Sequence, residues 1–195
     1  MSDAAAQRRA RQTLINLLLS LGATVGVMVL LVLLVPRDDS NQVQPVDYLA
    51  IAEQASTQAP GILLVPTIPL DWYSNAARYR SSAQDGVANW YVGFVGPNSE
   101  FLAMTQGLEV NQTWMQLMLE SNKPTGEVVI AGKTWKVFES VRENNRARSK
   151  DYMMVLEYEN NAVFVYGVAP RASLEDLASQ LGTLIDANMP TEAVN

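Results

Sequence analysis

The sequence predicts an α+β fold, an antiparallel sheet of about six or seven strands with helices packed on one face, preceded by one transmembrane helix. Three observations carry this. An unbroken apolar run occupies residues 14–35, period-two runs rich in β-branched and aromatic residues recur between Gly and Asn turns, and the last segment repeats leucines at helical spacing.

The apolar run, Leu14 to Val35 (LINLLLSLGATVGVMVLLVLLV), has 22 residues and no charge. As a helix it spans about 33 Å, enough for a hydrocarbon core of roughly 30 Å. Pro36 stops it, and Arg37-Asp38-Asp39 returns the chain to water. A cleaved signal has a shorter core and a small-x-small site, which Leu33-Leu34-Val35-Pro36-Arg37-Asp38 lacks. Arg8, Arg9 and Arg11 precede the run and Arg37 alone follows closely, so residues 1–13 are expected in the cytoplasm and the rest outside the cytoplasmic membrane. Gly22 and Gly26 form a GxxxG pair, with Ser20 and Ala23 adding small side chains, which is the pattern that lets a second membrane helix approach closely.

Residues 36–45 read as a polar tether, residues 46–190 as the extracytoplasmic domain and residues 191–195 as a tail. A tether of this length holds the domain within roughly 30 Å of the bilayer. A short helix is expected from Val46 to Thr57, ended by Pro60-Gly61. Pro66 and Pro69 forbid a central strand, so the segment up to Trp72 is expected to be extended and at a sheet edge, with Trp72 packed on the sheet.

Ser74 to Arg80, Val87 to Val95 and Glu100 to Thr105 form an expected meander, turned at Gln84-Asp85-Gly86 and Gly96-Pro97-Asn98-Ser99. Asn111 caps a helix to Glu120 with Trp114, Leu117 and Met118 on one side. Glu127 to Ile130 and Thr134 to Val141 make a hairpin through Ala131-Gly132-Lys133. Tyr152 to Tyr158 and Ala162 to Val168 pair across a turn at Asn160-Asn161. Ser173 is expected to cap the final helix, with Asp176 at its third position and Leu174, Leu177, Leu181, Leu184 and Ile185 as its apolar stripe.

Composition narrows the chemistry. There are no cysteines and no histidines, which removes disulfides, thiolate nucleophiles, imidazole bases and the commonest transition-metal ligands. No catalytic, cofactor-binding or metal-binding residues are expected, and no cofactor. There is no Walker loop, no GxGxxG, no EF-hand loop and no nucleophile elbow, and Ser121-Asn122-Lys123 falls one residue short of S-x-x-K. Glu139, Glu157 and Glu159 alternate with apolar residues as solvent-facing strand residues do.

The N-terminus is net +2 from three arginines and Asp3, and the chain totals −6, so everything beyond the span carries −8. Such a domain repels nucleic-acid phosphates, and no nucleic acid is expected as partner. Against that charge stands one basic cluster outside the membrane, Arg142, Arg146, Arg148 and Lys150, as a polar contact for a partner.

Several local motifs coincide with a family. An arginine-bearing N-terminus precedes one span; P-x-x-P-L-D-W follows at Pro66 to Trp72, A-A-R-Y-R at Ala76 to Arg80, W-Y-V-G-F at Trp90 to Phe94, and V-x-I-A-G-K-T-W ends at Trp135. The chain resembles the actinobacterial single-pass membrane proteins of domain of unknown function 4245. The resemblance implies an architecture, a high-GC Gram-positive source and an exposed envelope domain; it brings no catalytic residues.

The function expected from these features is that of a non-catalytic accessory or structural subunit of a larger membrane complex, most specifically an actinobacterial cytochrome bcc–oxidase supercomplex. Its partners would be integral membrane protein subunits, with the bilayer itself held through residues 14–35. The alternative is an anchored module binding an envelope lipid or small ligand, in which Trp72, Trp90, Trp114 and Trp135 surround a pocket.

Overall fold

A computed structural model describes residues 3–34, 44–81, 86–120, 122–140 and 149–188. The chain divides into two units, residues 1–42 and residues 43–195.

The first unit is one helix, α1, Asp3–Leu34. Its stretch Arg11–Leu34 is 24 residues long, has a mean hydropathy of 2.7 and buries none of its residues, so it is long and apolar enough to cross a membrane. The helix continues N-terminally of the apolar run through an Ala-, Gln- and Arg-rich stretch of high helix propensity.

The second unit contains α2 (Tyr48–Ser56), β1 (Tyr73–Arg80), β2 (Ala88–Val95), β3 (Phe101–Leu108), α3 (Gln112–Leu119), β4 (Lys123–Ile130), β5 (Lys133–Glu139), β6 (Tyr152–Tyr158), β7 (Asn161–Gly167) and α4 (Arg171–Asn188). The strands form one antiparallel sheet in the order β1-β2-β3-β7-β6-β5-β4. Two meanders, β1-β2-β3 and β4-β5-β6-β7, are thus joined where β7 returns beside β3, with Met104 opposite Val165 and Thr105 opposite Phe164. The fold is α+β, as the alternating strand patterns predict.

Both faces of the sheet are covered. On one, Trp90, Val92, Phe94, Met104, Trp135 and Val165 pack under α2 and α4, which contribute Tyr48, Ala52 and Ala55 and Leu174, Leu177, Leu181 and Ile185. The Tyr48 ring meets Phe94 edge-on at 5.4 Å. On the other face Ala103, Met153, Val155, Phe164 and Tyr166 pack with α3 through Trp114, whose ring stands edge-on to Phe164 at 5.6 Å. The expected single helical layer is therefore corrected: α3 takes the opposite face. Its apolar stripe has to find a surface, and the central strands β3, β6 and β7 are apolar on both sides, the pattern of strands buried twice.

Three further expectations are corrected. The proline segment is extended but does not lie at a sheet edge. It crosses the α2/α4 face, with Leu63 and Leu64 buried. Its backbone is held by side chains instead of a strand: Trp90 Nε1 donates to Leu64 O at 3.1 Å and the Tyr48 hydroxyl donates to Pro66 O at 2.8 Å. Ser173 lies inside α4, which starts at Arg171 directly after Pro170, and its N–H donates to Pro170 O. The turn joining β6 and β7 is Glu159-Asn160, one residue earlier than expected, with Glu159 at φ 49°.

Strand β4 starts at Lys123, earlier than its apolar residues suggest, and includes Pro124. It is an edge strand, where the missing proline N–H breaks no ladder. Ala131 and Gly132 both have positive φ, which a two-residue hairpin turn of the primed type requires. Asn111 caps α3 as expected, its Oδ1 accepting the Trp114 N–H at 2.9 Å.

Candidate functional site

The small-residue face of α1 is built by spacing alone. Gly22 and Gly26 are four residues apart and Ala23 and Gly26 three, so they share one side of the helix. A side chain added at Gly22 or Gly26 would meet nothing within 4 Å, so the face is open. Ser20 lies one turn earlier, and its carbonyl accepts the Thr24 hydroxyl at 3.0 Å, which satisfies that hydroxyl inside the helix. Chemically this face allows close van der Waals approach of another helix.

Of the basic cluster, Arg142, Arg146 and Arg148 lie outside the described residues. Lys150 is half-buried and engaged within the domain. Its Nζ is 3.0 Å from Glu120 Oε1 and 5.7 Å from the centre of the Tyr166 ring, and its carbonyl accepts from Asn122 Nδ2 at 2.6 Å. A partner carboxylate at Lys150 would compete with Glu120.

The tryptophans do not surround one pocket. Trp90 and Trp135 are fully buried on the α2/α4 face, Trp114 is buried on the opposite face, and Trp72 alone is half-exposed. Trp72 lines a groove of about 350 Å³ with Ile68, Pro69, Leu102, Asp176 and Gln180. The Gln180 Oε1 accepts the Thr67 N–H at 3.1 Å, tying α4 to the extended segment that forms the other wall. A shallower depression of about 270 Å³ continues along α4 past Thr183 and Leu184. The groove is amphipathic, with an apolar floor and one carboxylate and one amide on its α4 wall. The sequence carries no signal for it, because its walls come from residues 67–72, Leu102 and residues 173–180.

A second depression, also about 350 Å³, lies beside the β4 edge, where Arg171 stacks over the Tyr152 ring at 4.1 Å and bonds Glu139 at 2.9 Å. Burial raises the Tyr152 hydroxyl above its ordinary range, against the lowering pull of Arg171. Glu139 and Glu157 are both paired with cations, Glu157 to Lys136 at 2.7 Å. Both are exposed surface ion pairs. Among the described residues no group of three or more Asp or Glu is placed to hold a metal ion.

Neither a curated protein nor a solved structure matches the chain. A family model does match, over residues 9–181, from the N-terminal arginines through most of α4. The chain belongs to the family described as protein of unknown function DUF4245.

Proposed function

We propose that the chain is a membrane-anchored, non-catalytic accessory or structural subunit of a larger membrane complex, most specifically an actinobacterial cytochrome bcc–oxidase supercomplex. In this reading α1 is a single uncleaved span with a cytoplasmic N-terminus, and the α+β domain is extracytoplasmic. The observation that carries it is the helix Arg11–Leu34, long, strongly apolar and with none of its residues buried. Its open Gly22/Gly26 face is the kind of surface that membrane helices use to associate. In the domain, the polar groups of Gln106, Trp90 and Tyr48 hold its own backbone.

Gentle detergent extraction followed by native electrophoresis tests this. The chain should migrate with a large assembly, and the Gly22→Ile/Gly26→Ile variant should insert normally but dissociate. A wild-type chain migrating as a monomer, or a mature N-terminus beyond residue 35, would overturn the proposal.

The groove at Trp72 favours a second reading, an anchored module for an envelope lipid or small ligand, since its size is in the range that small-molecule sites use. Mass spectrometry of the natively purified chain separates the two, because a carrier retains a stoichiometric small molecule.

A further inference from the structure

We infer that the end of the domain at which the tether arrives rests on the bilayer that holds the anchor, with Leu70 inserted among the lipids. The inference rests on the anchored part of the reading above and is independent of any complex.

The tether reaches the domain at a defined place. The Val46 N–H donates to Ser74 O at 2.8 Å, so the incoming chain is bonded to the start of β1. The turn Pro69–Trp72 sits immediately before that strand, closed by the Trp72 N–H on Pro69 O at 3.0 Å. Leu70 at its tip is fully exposed, at 107 %. In the register of the sheet, Tyr73 lies opposite Val95, Val95 opposite Phe101, and Leu102 opposite Gly167, so the β2–β3 turn and the end of β7 share this end. Val168, exposed, follows Gly167 there, and Leu49, also exposed, stands in the first turn of α2 just after Val46. Three of the six large exposed side chains of the described domain thus gather where the tether arrives.

A lone exposed leucine on a free protein means little. A tethered one differs, because contact with the bilayer becomes intramolecular. The tether, residues 36–45, has ten residues and reaches roughly 30 Å, which keeps this end at high effective concentration near the lipid. Proline on one side and the backbone bond on the other hold the leucine out rigidly, so little order is lost on insertion. Asp71 and Glu100 at the same end carry negative charge, so the surface that fits is zwitterionic lipid and the contact is apolar.

The tryptophans supply the test. The span has none, and Trp90, Trp114 and Trp135 are buried, so quenching of tryptophan emission by lipid reports Trp72. The full chain is reconstituted into phosphatidylcholine vesicles with or without brominated acyl chains. Emission should fall in the brominated vesicles, fall further for Leu70→Trp, and recover to the unbrominated level for Leu70→Asp. Leu70 touches no core, so the variants should keep the wild-type circular dichroism. Emission of Leu70→Trp that is unchanged by bromination, in chain that resists alkaline extraction, would overturn the contact alone. Shielding seen only in a native complex and not in vesicles would also overturn it, since a protein neighbour would then cover the tip. Chain that is lost on alkaline extraction would instead sink the anchor reading.

Discussion

The side-chain carbonyl of Gln106 accepts the backbone N–H of Leu64 at 2.9 Å, across 42 positions of sequence. The same amide donates to Ile62 O at 2.9 Å and to the Tyr158 hydroxyl at 2.8 Å, so a fully buried glutamine acts as the missing strand for a segment that its prolines bar from the sheet. Replacing Gln106 with leucine keeps the volume, strands the buried Leu64 N–H and takes a partner from the part-buried Ile62 carbonyl and Tyr158 hydroxyl. Each unpaired buried group costs about 1–3 kcal/mol, so Gln106→Leu should lower the unfolding free energy by roughly 2–4 kcal/mol. Urea titration of the detergent-solubilised chain, followed by near-ultraviolet circular dichroism, measures it. A midpoint within error of wild type would show that the clamp is dispensable.

Alkaline stability should reflect two tyrosines. Burial raises the hydroxyls of Tyr158 and Tyr166 to about 12, and their hydrogen bonds to Gln106 and Thr105 only partly offset this. The folded pKa lies above the unfolded value of 10, so the stability these groups contribute is complete below pH 10. It is lost as the pH rises from 10 to 12. A rise of that size corresponds to about 2–3 kcal/mol for each group. Tyrosinate absorbance and circular dichroism recorded together should change in one cooperative step in that window. Tyrosinate forming near its ordinary pKa without unfolding would show that the hydroxyls are not buried.

On the α3 face, Gly107 makes room for Trp114. A side chain on Gly107 would collide with Cη2 and Cζ3 of that indole and with Val110. Gly107→Val should expel Trp114 and cost about as much as losing the ring, roughly 3–5 kcal/mol. Trp114→Ala serves as the comparison, and the double variant should be no worse than the worse single. Additive losses in thermal unfolding would mean that the two positions are not coupled.

How far these relationships are legible in the sequence depends on how local they are. The β2 strand is readable because Trp90 to Phe94 carries its own β-branched and aromatic pattern, and α1 because an uncharged run of that length has few alternatives in water. The path of residues 62–66 is not readable, since its hydrogen-bond partners, Gln106, Trp90 and Tyr48, lie in other elements and a glutamine in a strand looks solvent-facing. The side chosen by α3 is hidden for the same reason: Trp114 would suit either face, and only the gap at Gly107 selects one. Ser173 misleads because its match to a capping pattern is real, yet Pro170 just before Arg171 already sets the helix start. The Trp72 groove joins segments about a hundred residues apart and has no local signature.

The last prediction concerns charge. Arg171 bonds Glu139 at 2.9 Å and stacks over Tyr152 at 4.1 Å, yet the guanidinium is largely exposed. The hydrogen bond to Glu139 raises its pKa further above the usual range, but it is cationic at any working pH, so that shift has no consequence for stability near neutrality. An exposed pair of this kind is worth about 0–1 kcal/mol. Arg171→Ala should therefore leave thermal stability nearly unchanged, in contrast to Gln106→Leu. If Arg171→Ala proved as damaging as Gln106→Leu, the ion pair between α4 and the end of β5 would be holding α4 on the sheet, and the burial of Leu174, Leu177 and Leu181 would not suffice to keep it there.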